Sequence, residues 1–190
     1  MGDLKKTIHL SDEELVCKIV ATNNTHLFAV LYDRYAVVVY NKCYGFSKNK
    51  EEAQDLTHDV FIRLFVKLRT FKGKSKFSTW LYSFTYNFCV NYVQRDSHKK
   101  KENKTVITDD IKEVDDFDEI DDAALFELKA DKLAKAMAII EPNDKMILLM
   151  KYQDDLSIKE ISVVLEIGES AVKMRLKRAK GKVVKIYNEL

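Results

Sequence analysis

A single proline and only five glycines in 190 residues leave this chain without the turn-making residues that an all-β protein needs at its hairpins. Its three cysteines, Cys17, Cys43 and Cys89, are odd in number, widely spaced and without a Cys-x-x-Cys pair. That excludes a disulfide framework or a zinc knuckle as the basis of the fold, and a reducing cytoplasm is the expected compartment. No apolar run approaches the roughly 18 residues of a membrane helix and no secretory leader is legible, so no membrane insertion is expected. A dominant charge is missing too: the formal net charge of +2 says nothing about a polyanionic partner.

What is present favours helix. Hydrophobic residues make up 46% and charged residues 33%, a mixture suited to several amphipathic helices, so the expected fold is all-α. The charges are unevenly placed. From His26 to Lys104 there are fifteen Lys and Arg against seven Asp and Glu, and from Ser170 onward seven against one. Between these basic stretches, Thr108 to Asp122 carries nine acids against one lysine, without a helical period. Such a segment cannot bury enough surface to fold alone and reads as a linker. The expected organisation is a helical domain over 1–96, an acidic flexible linker over 97–122 and a second small helical domain over 123–190.

Ser11 with Glu14 is a capping box that opens a short helix carrying Leu15, Ile19 and Val20 and ending at Asn23 and Asn24. A longer helix, about 25–43, places Phe28, Leu31, Tyr35, Val38 and Val39 at core spacing. Asn49 with Glu52 is a second cap. In the helix it starts, which runs to about Leu68, Ala53, Leu56, Val60, Leu64 and Leu68 share one face. Asp55, Asp59, Ile62 and Val66 fall opposite, with His58 and Phe65 at the margin. Acids and bulky aliphatics on the side away from the core suggest a surface that a partner protein covers; a solvated face is the plainer alternative. Asp55, His58 and Asp59 also have the chemistry of metal ligands. No second cluster nearby in sequence completes a shell, so neither a metal nor another cofactor is expected.

Phe71 to Tyr92 pairs a lysine-studded loop with a helix crowded with aromatics. Lys72, Lys74 and Lys76 would attract phosphates, Gly73 lets the loop bend, and Phe77, Trp80, Tyr82 and Tyr86 offer flat rings to an unstacked base. Against this, Phe77, Leu81, Phe84 and Phe88 recur at spacings of four, three and four, as a buried stripe does. The helix is expected over about 78–95, capped by Ser78 or Thr79. Asn87, Asn91, Gln94 and Arg95 along it are of the kind that read base edges, or they are simply its wet side.

Helices are expected to resume near Ala123, with Leu125, Leu128, Leu133, Ala136 and Ile140 apolar and Pro142 in the first turn of the next. Leu156 to Lys180 reads as helix, short turn, helix. Ser157 and Glu160 form a third capping box, Ile158, Ile161 and Leu165 face inward from the first helix, and Val172, Leu176, Ala179 and Val183 do so from the second. The opposite face of the second carries Ser170, Lys173, Met174, Lys177 and Arg178, as a helix-turn-helix presents to the major groove.

Two blocks of this sequence resemble a known family. Glu52-Ala-Gln-Asp-Leu-Thr-His-Asp-Val-Phe-Ile-Arg-Leu-Phe65 and Phe71-x-Gly-x-Ser-x-Phe-x-Thr-Trp-Leu-Tyr82, and later Ser157-x-x-Glu-Ile161 and Ala171-Val-Lys-x-Arg-Leu-x-Arg-Ala179, resemble regions two and four of the extracytoplasmic-function sigma factors of bacterial RNA polymerase. The resemblance implies a non-enzymatic promoter-specificity subunit. It implies that Asp55, His58, Asp59, Ile62 and Val66 dock on core polymerase. Lys72, Lys74, Ser75, Lys76, Phe77, Ser78, Thr79 and Trp80 would then capture a base of the melted minus-ten element, with Asn87 and Arg95 on adjoining duplex. Ser170, Lys173, Met174, Lys177 and Arg178 would meet the double-stranded minus-thirty-five element. An anti-sigma factor is a further partner of many relatives. Three residues depart from the family pattern: His58 stands for Gln, Glu166 for a helix-ending Gly, and Gly168 for a capping Ser. From the residues alone, a dimeric helix-turn-helix activator and a metal-dependent nucleic-acid enzyme built on Asp55, His58 and Asp59 are the competing readings.

Overall fold

The computed structural model describes the backbone of residues 10–102 and 128–190, and the side chains of residues 10–96 and 128–190. Among the described residues there are eight α-helices and no strand: α1 (Asp12–Thr22), α2 (Thr25–Tyr44), α3 (Lys50–Lys67), α4 (Phe77–Glu102), α5 (Ala130–Ile139), α6 (Pro142–Leu148), α7 (Ile158–Leu165) and α8 (Glu169–Glu189). The chain divides between Cys89 and Val90 into two compact units. The acidic stretch 108–122 and the apolar residues expected at 123–127, Leu125 among them, lie outside the described residues.

In the first unit Ser11 and Glu14 cap α1 reciprocally. The Glu14 N–H donates to Ser11 Oγ at 3.2 Å and the Ser11 N–H to Glu14 Oε2 at 2.8 Å. Asn23 and Asn24 do two different jobs. Asn23 ends α1 in the left-handed conformation (φ 50°), and the Asn24 side chain accepts the N–H groups of His26 and Leu27 to start α2. Asp12 ties the two helices together, accepting from Arg34 Nη1 at 2.6 Å and from the Tyr35 hydroxyl. Burial, and then this bond to Asp12, hold the Tyr35 phenol well above its ordinary pKa. Leu15, Val16 and Ile19 are buried, whereas Val20, expected among them, is 41% exposed.

Leu31, Tyr35, Val39 and Cys43 bury the four-residue stripe of α2, and Ala53, Leu56, Val60, Leu64 and Leu68 bury that of α3 as their spacing predicts. Each large apolar side chain taken fully from water contributes about 1.5–3 kcal/mol, so Leu64→Ala would cost about 2–5 kcal/mol once the cavity is counted. Phe28 seals the top of the pair edge-on to Phe61 and Phe65, with ring centroids 6.3 and 4.9 Å away. Asn49 caps α3 through the Glu52 N–H at 2.8 Å, while the Glu52 carboxylate turns back to the Lys48 N–H rather than to Asn49.

α4 differs from expectation at both ends. It begins at Phe77, so Ser78 and Thr79 lie inside its first turn and cap nothing; it continues past Arg95 to Glu102, because Asp96 to Glu102 contains no Gly or Pro to stop it. It also buries more than one stripe: Phe77, Leu81, Thr85 and Cys89, and beside them Thr79, Ser83, Tyr86 and Val90. A helix enclosed on several sides has no single apolar face, which is why the period misassigned Phe84 and Phe88 (only half-buried) and left Tyr86 as a candidate surface ring (0% exposed). The buried hydroxyls turn inward on their own helices, Thr85 Oγ1 to the Leu81 carbonyl and Thr57 Oγ1 to that of Ala53. Lys42 is also buried. Its Nζ lies 4.0 Å from the Tyr82 ring centroid, 4.7 Å from that of Tyr86, and donates to the Tyr86 hydroxyl at 3.2 Å.

In the second unit α5 starts at Ala130, and Pro142 occupies the first position of α6 as expected. A π-helical turn over Leu149–Gln153 and a left-handed Asp155 (φ 52°) reverse the chain into α7. Ser157 and Glu160 form the predicted capping box there. Glu166 ends α7 at φ 54°, the conformation that glycine adopts most cheaply, and Gly168 starts α8 without a side-chain cap. Ile161, Val172, Leu176, Ala179 and Val183 are buried; Ile158 and Leu165, also expected inward, are half-buried. Lys182 Nζ donates to Asp144 Oδ2 at 2.7 Å and joins α8 to α6, and Tyr187 Oη accepts the Lys129 N–H at 3.2 Å to hold the entry to α5.

Candidate nucleic-acid and protein interfaces

The lysine loop is pinned at both ends. The Phe71 ring lies 5.5 Å from that of Phe77 and 5.4 Å from that of Trp80, and Trp80 stacks on Phe84 at 5.6 Å. Tyr35 of α2 meets Phe77 edge-on at 5.6 Å, so the cluster is anchored in the core. Glu13, a residue that no local pattern singles out, accepts the Phe77 N–H at 2.9 Å and caps α4 from α1. Between the pinned ends Lys72, Lys74 and Lys76 are exposed. The Ser75 hydroxyl donates to the Lys76 carbonyl at 3.3 Å. Gly73 is at φ 67°, with open space where a Cβ would stand, so the backbone conformation and not crowding requires glycine.

Three residues expected at this surface, Phe77, Thr79 and Tyr86, are not on it. Phe77 is 0% and Thr79 3% exposed, because the helix start that aims Trp80 outward turns these two into the core. Ser78 and Trp80 are half-buried, and Asn87 and Arg95 are exposed farther along α4, with Asn87 Nδ2 donating to Ser83 Oγ at 3.4 Å. The surface that remains is three ammonium groups, two serines and the accessible part of an indole, all on a packed aromatic base. That combination suits a phosphate backbone with a base out of its stack.

On α3 the outward face is as the spacing predicts. Asp55, His58 and Asp59 are exposed, and Ile62 and Val66 are 64% and 56% exposed. Phe65, at its margin, is half-buried against Phe28. Among the described residues no group of three or more His, Cys, Asp or Glu could hold a metal ion.

In the second unit the short α7, its three-residue turn and the start of α8 bring Ser170, Lys173, Met174 and Lys177 to the surface, with Arg178 half-buried beside them. Met174 is 53% exposed, an apolar contact in a basic field. Arg175, which projection onto a single face omits, is exposed as well and widens that field. Residues 31–99 match the family model for sigma-70 region 2, and residues 130–183 match that for sigma-70 region 4. The chain belongs to the extracytoplasmic-function group of sigma-70 factors. This sigma factor is 26% identical over 178 residues to the ECF RNA polymerase sigma factor SigW of Bacillus subtilis, covering 91% of this chain and 95% of that one. Against SigM of the same organism it is 28% identical over 158 residues, 83% and 93% of the two chains. Among solved structures, the sigma factor RpoE of Bartonella quintana, in complex with the anti-sigma factor NepR, has the same fold. Its TM-score is 0.59 at 13% identity, over 85% of this chain and 96% of that one. CnrH in complex with the cytosolic domain of CnrY gives 0.58 at 17%, over 92% and 96%. Among the described residues no helix of this sigma factor is long and apolar enough to cross a membrane.

Proposed function

We propose that this sigma factor carries core RNA polymerase to promoters, reads each promoter at two separated elements and helps open the duplex, with no catalysis of its own. The observation that carries the reading is the pairing, on one chain and in the family's order, of a pinned lysine loop with a helix-turn-helix whose exposed side is basic. Lys72, Lys74, Ser75, Lys76, Ser78 and Trp80 hold the displaced strand and the flipped base of the minus-ten element, while Phe77 and Thr79 build the support beneath them. Unpairing a base costs a few kcal/mol, and a surface already rigid when DNA arrives can offset that cost. Asn87 and Arg95 take the adjoining duplex. Ser170, Lys173, Met174, Arg175, Lys177 and Arg178 enter the major groove of the minus-thirty-five element. Asp55, His58, Asp59, Ile62 and Val66 grip the polymerase, and a cytoplasmic anti-sigma factor is a partner in the resting state.

A homodimeric activator accounts for α7 and α8 but leaves the apolar and acidic side of α3 and the lysine loop without a task. Run-off transcription with sigma-free core polymerase on genomic promoters separates the two. The sigma reading expects defined start sites only when the protein is added and no tight promoter binding by the protein alone. Equal binding to the target without polymerase would support the activator instead.

A further inference from the structure

Cys43 closes the last turn of α2 and Cys89 lies in the middle of α4; 46 residues apart in sequence, their sulfurs are 3.8 Å apart, both side chains are buried, and the Cys89 thiol donates to Cys43 Sγ. To form a disulfide, two sulfurs already in van der Waals contact must close to roughly 2.05 Å. We propose that Cys43 and Cys89 are a reversible oxidation site, at which a peroxide converts the two thiols into a disulfide bridging α2 and α4. Transient disulfides of this kind are the form that cytosolic proteins use for sensing.

The chemistry closes with peroxide as the only co-reactant. The Cys43 thiolate attacks one peroxide oxygen, the O–O bond breaks, and the departing hydroxide takes up the thiol proton as water, leaving a sulfenic acid. The Cys89 sulfur then attacks the sulfenic sulfur, the S–O bond breaks, and a second water leaves with the Cys89 proton. Two thiols lose two electrons, and one peroxide becomes two waters. Cys43 is placed to react first: the hydrogen bond from Cys89 lowers its pKa, and burial opposes this. Exposed Cys17 on α1 has no such neighbour and serves as the internal comparison.

The covalent loop closed by this bond contains all of α3 and the whole lysine loop. Oxidation therefore restrains the docking helix and the DNA-binding loop together, and it narrows the unfolded ensemble. The test uses the full chain carrying Cys17→Ser, treated with hydrogen peroxide, quenched by alkylation in denaturant and digested without reductant. The expected product is monomeric, two hydrogens lighter, with the Cys43 and Cys89 peptides joined, a higher Tm, and reversal by dithiothreitol. In a Cys89→Ser chain, whose hydroxyl keeps a donor beside Cys43 Sγ but cannot resolve to a disulfide, the same treatment should stop at a sulfenic acid on Cys43 that dimedone traps. Both thiols still alkylated after peroxide, or a bond that forms only when urea is present during oxidation, would overturn the proposal. Every readout is made without polymerase or DNA, so the outcome is independent of the proposed sigma activity.

Discussion

The carboxylate of Glu13 accepts the backbone N–H of Phe77 at 2.9 Å, joining two residues 64 positions apart. The first N–H groups of a helix lack intrahelical acceptors, and a negative charge there also suits the helix dipole. In this chain the acceptor for α4 comes from α1 and lies just after the lysine loop. Glu13→Ala should lower stability by about 1 kcal/mol, the usual loss on removing a cap. A urea titration followed by far-UV circular dichroism reads that shift in midpoint, and an unchanged midpoint would mean that water replaces the carboxylate at no cost.

Asp55 and Asp59 are exposed like charges four residues apart on α3. Replacing both with alanine removes a repulsion of about 0.2–0.5 kcal/mol and adds good helix formers, so the double variant should be at least as stable as the parent. Its capture of core polymerase should nevertheless fall. Undiminished capture at equal stability would move the docking face elsewhere.

Lys173 and Arg178 stand on the proposed groove face of α8. If each neutralises one phosphate, Lys173→Ala with Arg178→Ala should reduce the log–log salt slope of binding to the upstream element by about 2. Holoenzyme titrations on promoter DNA between low and moderate salt supply the slope, and parallel lines for the two proteins would remove these side chains from the phosphate contacts.

Glu166 ends α7 in the left-handed region at φ 54°. Since a side chain there costs about 1 kcal/mol, Glu166→Gly should raise stability by up to about that amount, less the added freedom of glycine in the unfolded chain. Thermal unfolding of the full protein measures the sign. A lower Tm would show that the Glu166 side chain makes a compensating contact.

The capping box of α1 gives a pH dependence of known sign. Hydrogen bonding to the Ser11 backbone, and then to its hydroxyl, holds the Glu14 pKa below its ordinary value. A depressed carboxylate contributes stability above its unfolded pKa of about 4.3 and loses it as the pH falls through the lower folded value. Amide protection in the first turn of α1 should therefore fade below about pH 4.3 in the parent. In Glu14→Gln it should show no such step.

Much of this was written in local pattern. The five-residue core stripe of α3, the caps at Ser11, Asn49 and Ser157, and the outward placement of Asp59 and Lys173 follow from helical spacing and the chemistry of helix ends, whereas Asn24, read only as an end of α1, proves to cap α2. The sequence was least informative where several elements meet one helix. On α4, burial around most of the circumference erases any single stripe, so helical spacing alone puts Tyr86 with the surface rings and Phe84 and Phe88 with the core. Long-range partners left no local mark either: Glu13 to Phe77, Lys42 to Tyr86, and the two sulfurs of Cys43 and Cys89 are all pairings that only the tertiary fold brings together.

The ring contacts of Phe71 with Phe77 and Trp80 hold the ends of a five-residue segment whose interior touches little else. Such a segment behaves as an exchangeable cassette. On the proposed function, substitutions inside it would retune which promoters are chosen while the aromatic scaffold beneath stays in place.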